Sequence, residues 1–248
     1  MEYQPIGHTI IWLPEVNSTN AYATQQAKRN RTHGMVIAAH KQLEGKGHGG
    51  NSWESQADMN LTFSIILHPS FLSPTNQFML SKAVSLGLID AIRPHVSGKL
   101  SIKWPNDIYI NDGKVAGILI ENSIYHNAID SAIVGVGLNV NQVNFPDDIP
   151  NPTSLVKEWG RQLDNHELLN SLCDSINIRF KQLMNPDNPI SGHYLQALYR
   201  KNDYHPYSSQ GRKFYARIYD VKDSGELLLE SENGEIFNFQ FKEVVFEF

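Results

Sequence analysis

Cysteine is nearly absent. Cys173 stands alone in 248 residues, which excludes an intramolecular disulfide framework and a cysteine-based zinc cluster and fits a reducing compartment. No run approaches the ~18 consecutive apolar residues of a membrane helix, and residues 1–10 lack a basic region followed by an apolar one, so neither a span nor a signal peptide is expected. Excess positive charge is missing too. A net charge of -5 gives no global footprint for nucleic acid or an anionic membrane, so any binding must be local. Repeats and low-complexity segments are lacking as well. What is left is the expectation of a soluble, cytoplasmic protein whose 41% hydrophobic residues suffice for a full core. Cys173 reads as a small apolar filler in the helical stretch 168–184.

Asn17, Ser18 or Thr19 caps a helix over residues 21–29 that opens the first βα unit. Short buried strands are expected at 35–39 and 60–67, separated by a segment too rich in glycine for helix or strand. Residues 78–92 carry apolar side chains at helical spacing; 100–104, 108–110, 115–121 and 132–138 read as strands in a largely antiparallel succession. Asn111-Asp112-Gly113 is a hairpin turn signal because such turns need positive φ. After a helical region at 166–200, strands at 213–221, 226–231, 235–241 and 244–248 are punctuated by Asp223-Ser224-Gly225 and Glu232-Asn233-Gly234. They make a small barrel-like module that docks on the larger domain, giving domains 1–202 and 203–248.

Chemistry concentrates in four stretches. Gln42-Leu43-Glu44-Gly45-Lys46-Gly47-His48-Gly49-Gly50-Asn51-Ser52-Trp53 can turn backbone amides and basic side chains around an anion, though it is not a Walker A loop; by composition it could equally be a plain surface loop. Lys103-Trp104-Pro105-Asn106-Asp107 ends a strand in an amide and a carboxylate suited to a metal or a lysine, or to a self-satisfying turn. Residues 113–121 place Lys114 at the mouth of an apolar strand, with Gly117 leaving room for a ring. Gly135-Val136-Gly137-Leu138-Asn139 lacks the last glycine of a dinucleotide fingerprint and is a weak signal alone.

In this order the stretches resemble the biotin–protein ligase family over nearly the whole chain. Gly45 to Trp53 is similar to the family's Gly-Arg-Gly-Arg-x-Gly-x-x-Trp, with Lys46 and His48 where arginines are usual. Lys103 to Asp107, Lys-x-x-Gly-Ile-Leu-x-Glu from Lys114 to Glu121, Ser18-Thr19-Asn20 and Gly-x-Gly-x-Asn ending at Asn139 match the family pattern. The resemblance implies an α+β fold: a class II synthetase-like ligase core with a mixed, largely antiparallel sheet and helices, then a small SH3-like β-barrel. Fewer than twenty residues precede Ser18, so no winged helix and no DNA binding are expected.

By the same resemblance, Ser18, Thr19 and Gln42 take the ureido end of biotin, Trp53 shapes the site, and Asn20, Gly45 and Gly117 belong to the biotin set. Lys46, Gly47, His48 and Lys114 surround biotin's carboxylate and the α-phosphate; Lys114, Lys46, His48 and Asp107 are the catalytic set. Asn106, Lys114 and Asn139 face ATP, and Asp107 is a candidate Mg²⁺ ligand. The implied activity activates biotin with ATP as biotinyl-5'-adenylate and passes it to one lysine of a biotin carboxyl carrier domain. The alternatives are a lipoate–protein ligase and a non-catalytic biotin or biotinyl-adenylate binding protein. No membrane partner is expected, and a homodimer is left open.

Overall fold

An apolar run, a capped helix and a second apolar run build the first unit. In a computed structural model, which describes residues 4–29 and 32–247, β1 (Ile10–Val16) lies parallel to β2 (Val36–Gln42), with α1 (Thr19–Arg29) between them. The Ser18 hydroxyl accepts from the Ala21 N–H at 3.4 Å, so the expected cap is in place. The sheet continues through β3 (Leu61–Leu67), β4 (Leu100–Lys103), β5 (Asp107–Ile110), β6 (Gly113–Tyr125) and β7 (Ala128–Leu138) in the order β1-β2-β3-β7-β6-β5-β4, antiparallel after its first pair. Asn111, at φ 52°, makes the β5–β6 turn that its sequence announces.

Alternation along the strands sorts the core into two faces. Ile37, Ile66 and Ile133 pack with Ala23 of α1. Their neighbours Val36, Ala38, Ile65, Leu67 and Val134 join the larger cluster with α2 (Phe78–Ile92) and α4 (Asn165–Leu183). α2 is buried nearly all round, as befits a helix that is apolar on every side. The Asp164 carboxylate caps α4 by accepting from the His166 and Glu167 N–H groups. Cys173 is buried on α4 as expected, and burial pushes its thiol up to about 12, which removes it as a nucleophile.

α3 (Leu155–Trp159) and α5 (Ile190–Gln196) are short, and the second sheet follows. It consists of β8 (His205–Ser209), β9 (Arg212–Val221), β10 (Leu227–Ser231), β11 (Ile236–Phe239) and β12 (Val245–Phe246), ordered β11-β10-β9-β8-β12. Among the described residues β11 and β12 are not paired, so the strands form an open sheet where a barrel was expected. The final expected strand is seen only over Val245–Phe246, and its residue 248 lies outside the described residues.

The second sheet shares the large apolar cluster with the first through Tyr207, Ala216, Ile218 and Leu229. Polar staples reinforce the contact. Lys82 of α2, 1% exposed, donates to Val221 O, Asp223 Oδ1 and Ser191 Oγ at 2.8, 2.8 and 3.0 Å. The Trp104 indole donates to Gly225 O at 2.9 Å. A buried cation needs such partners, and these fix the second sheet against the strand ends that carry the Lys103-to-Asp107 motif.

Candidate functional site

The glycine-rich segment folds back on itself. The Gly47 N–H donates to Asn51 O and the Trp53 N–H to Gly45 O, at 2.7 and 2.8 Å, with a 3-10 turn over His48–Gly50 at the tip. Trp53, at the base, is thereby thrown across the sheet onto Gly117 and Gly137, which face each other on β6 and β7. A Cβ on Gly137 would lie 2.2 Å from Trp53 Cε2, so the indole occupies a slot that only glycine leaves open. Gly135 does the same for Asn20, whose Oδ1 would be 2.2 Å from an added Cβ.

Around this floor opens a cleft of about 220 Å³. At one end the Thr19 N–H and hydroxyl both donate to Gln42 Oε1, at 2.9 and 3.1 Å. Behind them Ser64 Oγ lies 2.6 Å from Asn20 Oδ1, and Asn20 Nδ2 donates to Glu121 Oε2 at 2.7 Å. Donors and acceptors thus alternate in a buried, mostly uncharged wall, suited to a neutral polar group such as a urea. At the other end Lys114 Nζ stands 2.8 Å from Asp107 Oδ1 and 5.6 Å from the centre of the Trp53 ring. Lys114 is fixed by its backbone, whose N–H donates to Asn151 O and whose carbonyl accepts from the Thr153 N–H. Asn106 is held against β6 by Nδ2 donating to Ile118 O at 3.0 Å.

The expected residues Ser18, Thr19, Asn20, Gln42, Lys46, Gly47, His48, Trp53, Asn106, Asp107, Lys114 and Gly117 all line this one cleft. Two do not. Gly45 sits behind the lining, where a Cβ would strike Trp53 O at 2.2 Å, so it closes the loop without facing the space. Asn139 is buried with Nδ2 donating to Thr153 O at 2.9 Å, so its side chain braces the segment that holds Lys114 and is not part of the lining. Of the two partners expected for Asp107, a metal or a lysine, the carboxylate meets the lysine, Lys114.

Sequence reasoning missed Phe241 and Lys242, which reach the cleft from the second sheet. Lys242 Nζ donates to Gly49 O at 2.8 Å, and the Phe241 ring meets His48 edge-on at 5.3 Å. Burial, with Lys242 nearby and against an opposing pull from Asp107, holds the His48 imidazole below its usual pKa. The glycines of the weak third-glycine-deficient motif, Gly135 and Gly137, proved to be the floor.

The Biotin/lipoate A/B protein ligase family profile matches residues 12–139, just over half of the chain. The chain belongs to this family. Among members of the biotin/lipoate ligase family, the bifunctional ligase/repressor BirA of Bacillus subtilis (strain 168) is 30% identical over 240 residues, covering 94% of this chain and 73% of that protein. The biotin--[acetyl-CoA-carboxylase] ligase of Mycobacterium tuberculosis is 27% identical over 224 residues, 88% of this chain and 82% of that one. The biotin protein ligase from Aquifex aeolicus, solved in complex with biotin and ATP, superposes with a TM-score of 0.80 at 28% identity, over 97% of this chain and 99% of that one.

Proposed function

We propose that this chain joins biotin to a lysine of a biotin carboxyl carrier domain in two steps. It is a biotin–[acetyl-CoA-carboxylase] ligase, as its relatives of that name and its likeness to a ligase holding biotin and ATP support. First, a carboxylate oxygen of biotin attacks the α-phosphorus of ATP, the α–β P–O bond breaks, and pyrophosphate leaves with the electron pair. Second, the free acceptor amine attacks the acyl carbon of biotinyl-5'-adenylate, the bond to the phosphate oxygen breaks, AMP leaves with the electron pair, and the nitrogen gives up one proton to water and keeps the other as the amide N–H.

One observation carries the reading: the cleft sets the uncharged Thr19–Gln42 wall opposite the fixed Lys114 cation. Biotin has a neutral urea at one end and a carboxylate at the other, so it fits that polarity lengthwise. Two anions must meet in the first step, and Lys114 with Lys46 reduces their repulsion as charge moves to pyrophosphate. The Asp107 carboxylate keeps Lys114 aimed. Residues 1–202 carry this machinery, and 203–248 contribute Phe241 and Lys242 at its mouth.

The test is pyrophosphate release by the purified chain with magnesium chloride and ATP, given biotin or lipoate, followed by mass measurement of a carboxylase carrier domain. Biotin-dependent release and a biotinyl mass on one lysine are expected. Release with lipoate alone would turn the assignment to the other branch of the family, and no release with either would leave a binding protein.

A further inference from the structure

A second cavity, of about 120 Å³, lies on the α2 side of β6 and shares His48, Pro105, Asn106, Ile118 and Phe241 with the cleft. Its outer lip is formed by Gln77 and Ser224, both exposed. Between lip and cleft the walls are the apolar Phe78, Ile118, Ile120 and Phe241, with Ser81, Ser85 and Asn122 among them. Among the described residues, none that lines it is Lys, Arg, Asp or Glu. Two buried oxygens in it lack any hydrogen-bond partner: Ser85 Oγ, on a residue with 0% exposure, and Asn122 Oδ1. Leaving buried polar atoms unpaired is costly, and Asn122 Oδ1 can only accept, so it calls for an occupant that brings a donor.

The walls say what that occupant is. Pyrophosphate and nucleotide phosphates need cations that this lining lacks, and a carboxylate would set its own oxygens against Asn122 Oδ1, which can only accept. A lysine side chain suits it, because its methylene stem prefers apolar walls and its nitrogen carries hydrogens to donate whether or not it is charged. We propose that this cavity is the portal through which the acceptor lysine reaches the adenylate, its nitrogen passing Ser81 and Asn122 and then Ile118 and Asn106 into the cleft. The inference rests on the ligase reading above. The portal also prepares the nucleophile, since an uncharged, partly dry passage disfavours the ammonium form and delivers the free amine that the attack requires. The ammonium proton stays with water at the lip.

Ser81 is half-buried on the cavity-facing side of α2 and has no part in the cleft, so Ser81→Phe plugs the portal without touching the adenylating residues. Three rates separate the ideas: biotin-dependent exchange of pyrophosphate into ATP, transfer from the adenylate to the carrier domain of an acetyl-CoA carboxylase, and discharge of the adenylate by hydroxylamine, which is small enough to bypass the portal. Ser81→Phe is expected to slow carrier transfer on the order of tenfold or more by obstructing positioning, while exchange and hydroxylamine discharge stay within about twofold. Carrier transfer unchanged with exchange intact overturns the portal alone, as does a fall in hydroxylamine discharge matching that in transfer. Absence of exchange in the unaltered protein overturns the ligase reading itself. If Ser81→Phe does not fold, Asn122→Leu at the same wall takes its place, with the same expected loss and the same overturning result.

Discussion

Lys242 Nζ reaches from the second sheet to the carbonyl oxygen of Gly49, at 2.8 Å, so a cation 193 positions away in sequence rests on the tip of the glycine loop. The pairing bears on His48, the chain neighbour of Gly49 in that loop. A reference histidine is only partly charged near pH 7, and here burial and then Lys242 lower its pKa further. His48 therefore acts at neutral pH as an uncharged ring against Phe241, and its charge adds to anion binding only below its ordinary titration range.

The imidazole resonances of His48, followed by NMR in the ligand-free protein, should titrate below about 6.5. In Lys242→Ala the midpoint should rise toward that value, because one of the two lowering influences is gone while burial remains. An unmoved or lower midpoint would contradict the pairing.

Lys114→Ala should keep the fold and remove most adenylate formation. Loss of a fixed cation beside developing charge costs roughly 2.7 to 4 kcal/mol, on the order of 10² to 10³ in rate. The variant also strands the Asp107 carboxylate, whose ion-pair partner it removes. Biotin-dependent pyrophosphate exchange is the measurement, and a rate within about threefold of the parent sinks the assignment.

Gly137→Val should expel the Trp53 indole, since a Cβ there falls 2.2 Å from Cε2 and 2.5 Å from Nε1 of that ring. Overpacking of this kind costs about 1–3 kcal/mol. Urea unfolding should show that loss, and calorimetric titration should show weakened biotin binding. Wild-type stability together with wild-type affinity would mean that the ring moves aside freely.

His33 gives the protein an acid sensitivity. Burial, helped by the neighbouring His68 and His8, lowers its pKa to about 4, and its Nδ1 accepts from the His68 N–H. The unfolded chain therefore binds more protons between its reference value and about 4, so the contribution is intact above about 6.5 and is lost as pH falls to about 4. The urea midpoint should drop between about pH 7 and about pH 4.5, and His33→Gln should flatten the drop. Equal slopes in both proteins would assign the loss elsewhere.

Most of the strand series was legible because apolar alternation and the Asn-Asp-Gly turn are local signals. β1 and β8 were not, because Pro14 and Pro206 break the strand pattern. β1 escapes that rule by lying at the sheet edge, where a missing N–H costs no ladder bond. α3 has five residues, too few to show a period. The cleft was legible residue by residue wherever a motif ran in register, down to a lysine as partner of Asp107, yet the same pattern gave no hint that Asn139 braces Thr153. Nor can local pattern bring Lys242 to Gly49, because that contact depends on how the second sheet is seated by Lys82 and Trp104.

The bare floor under Trp53 and Asn20 sets a limit on how robust this protein can become. Gly117, Gly135 and Gly137 are strand positions where a β-branched side chain would add packing and reduce the freedom of the unfolded chain. Selection for heat resistance alone would fill them, and each filling would take space from the Trp53 indole or the Asn20 amide. The hollow is kept against the grain of folding, so variants that survive boiling best should be sought anywhere but on these two strands.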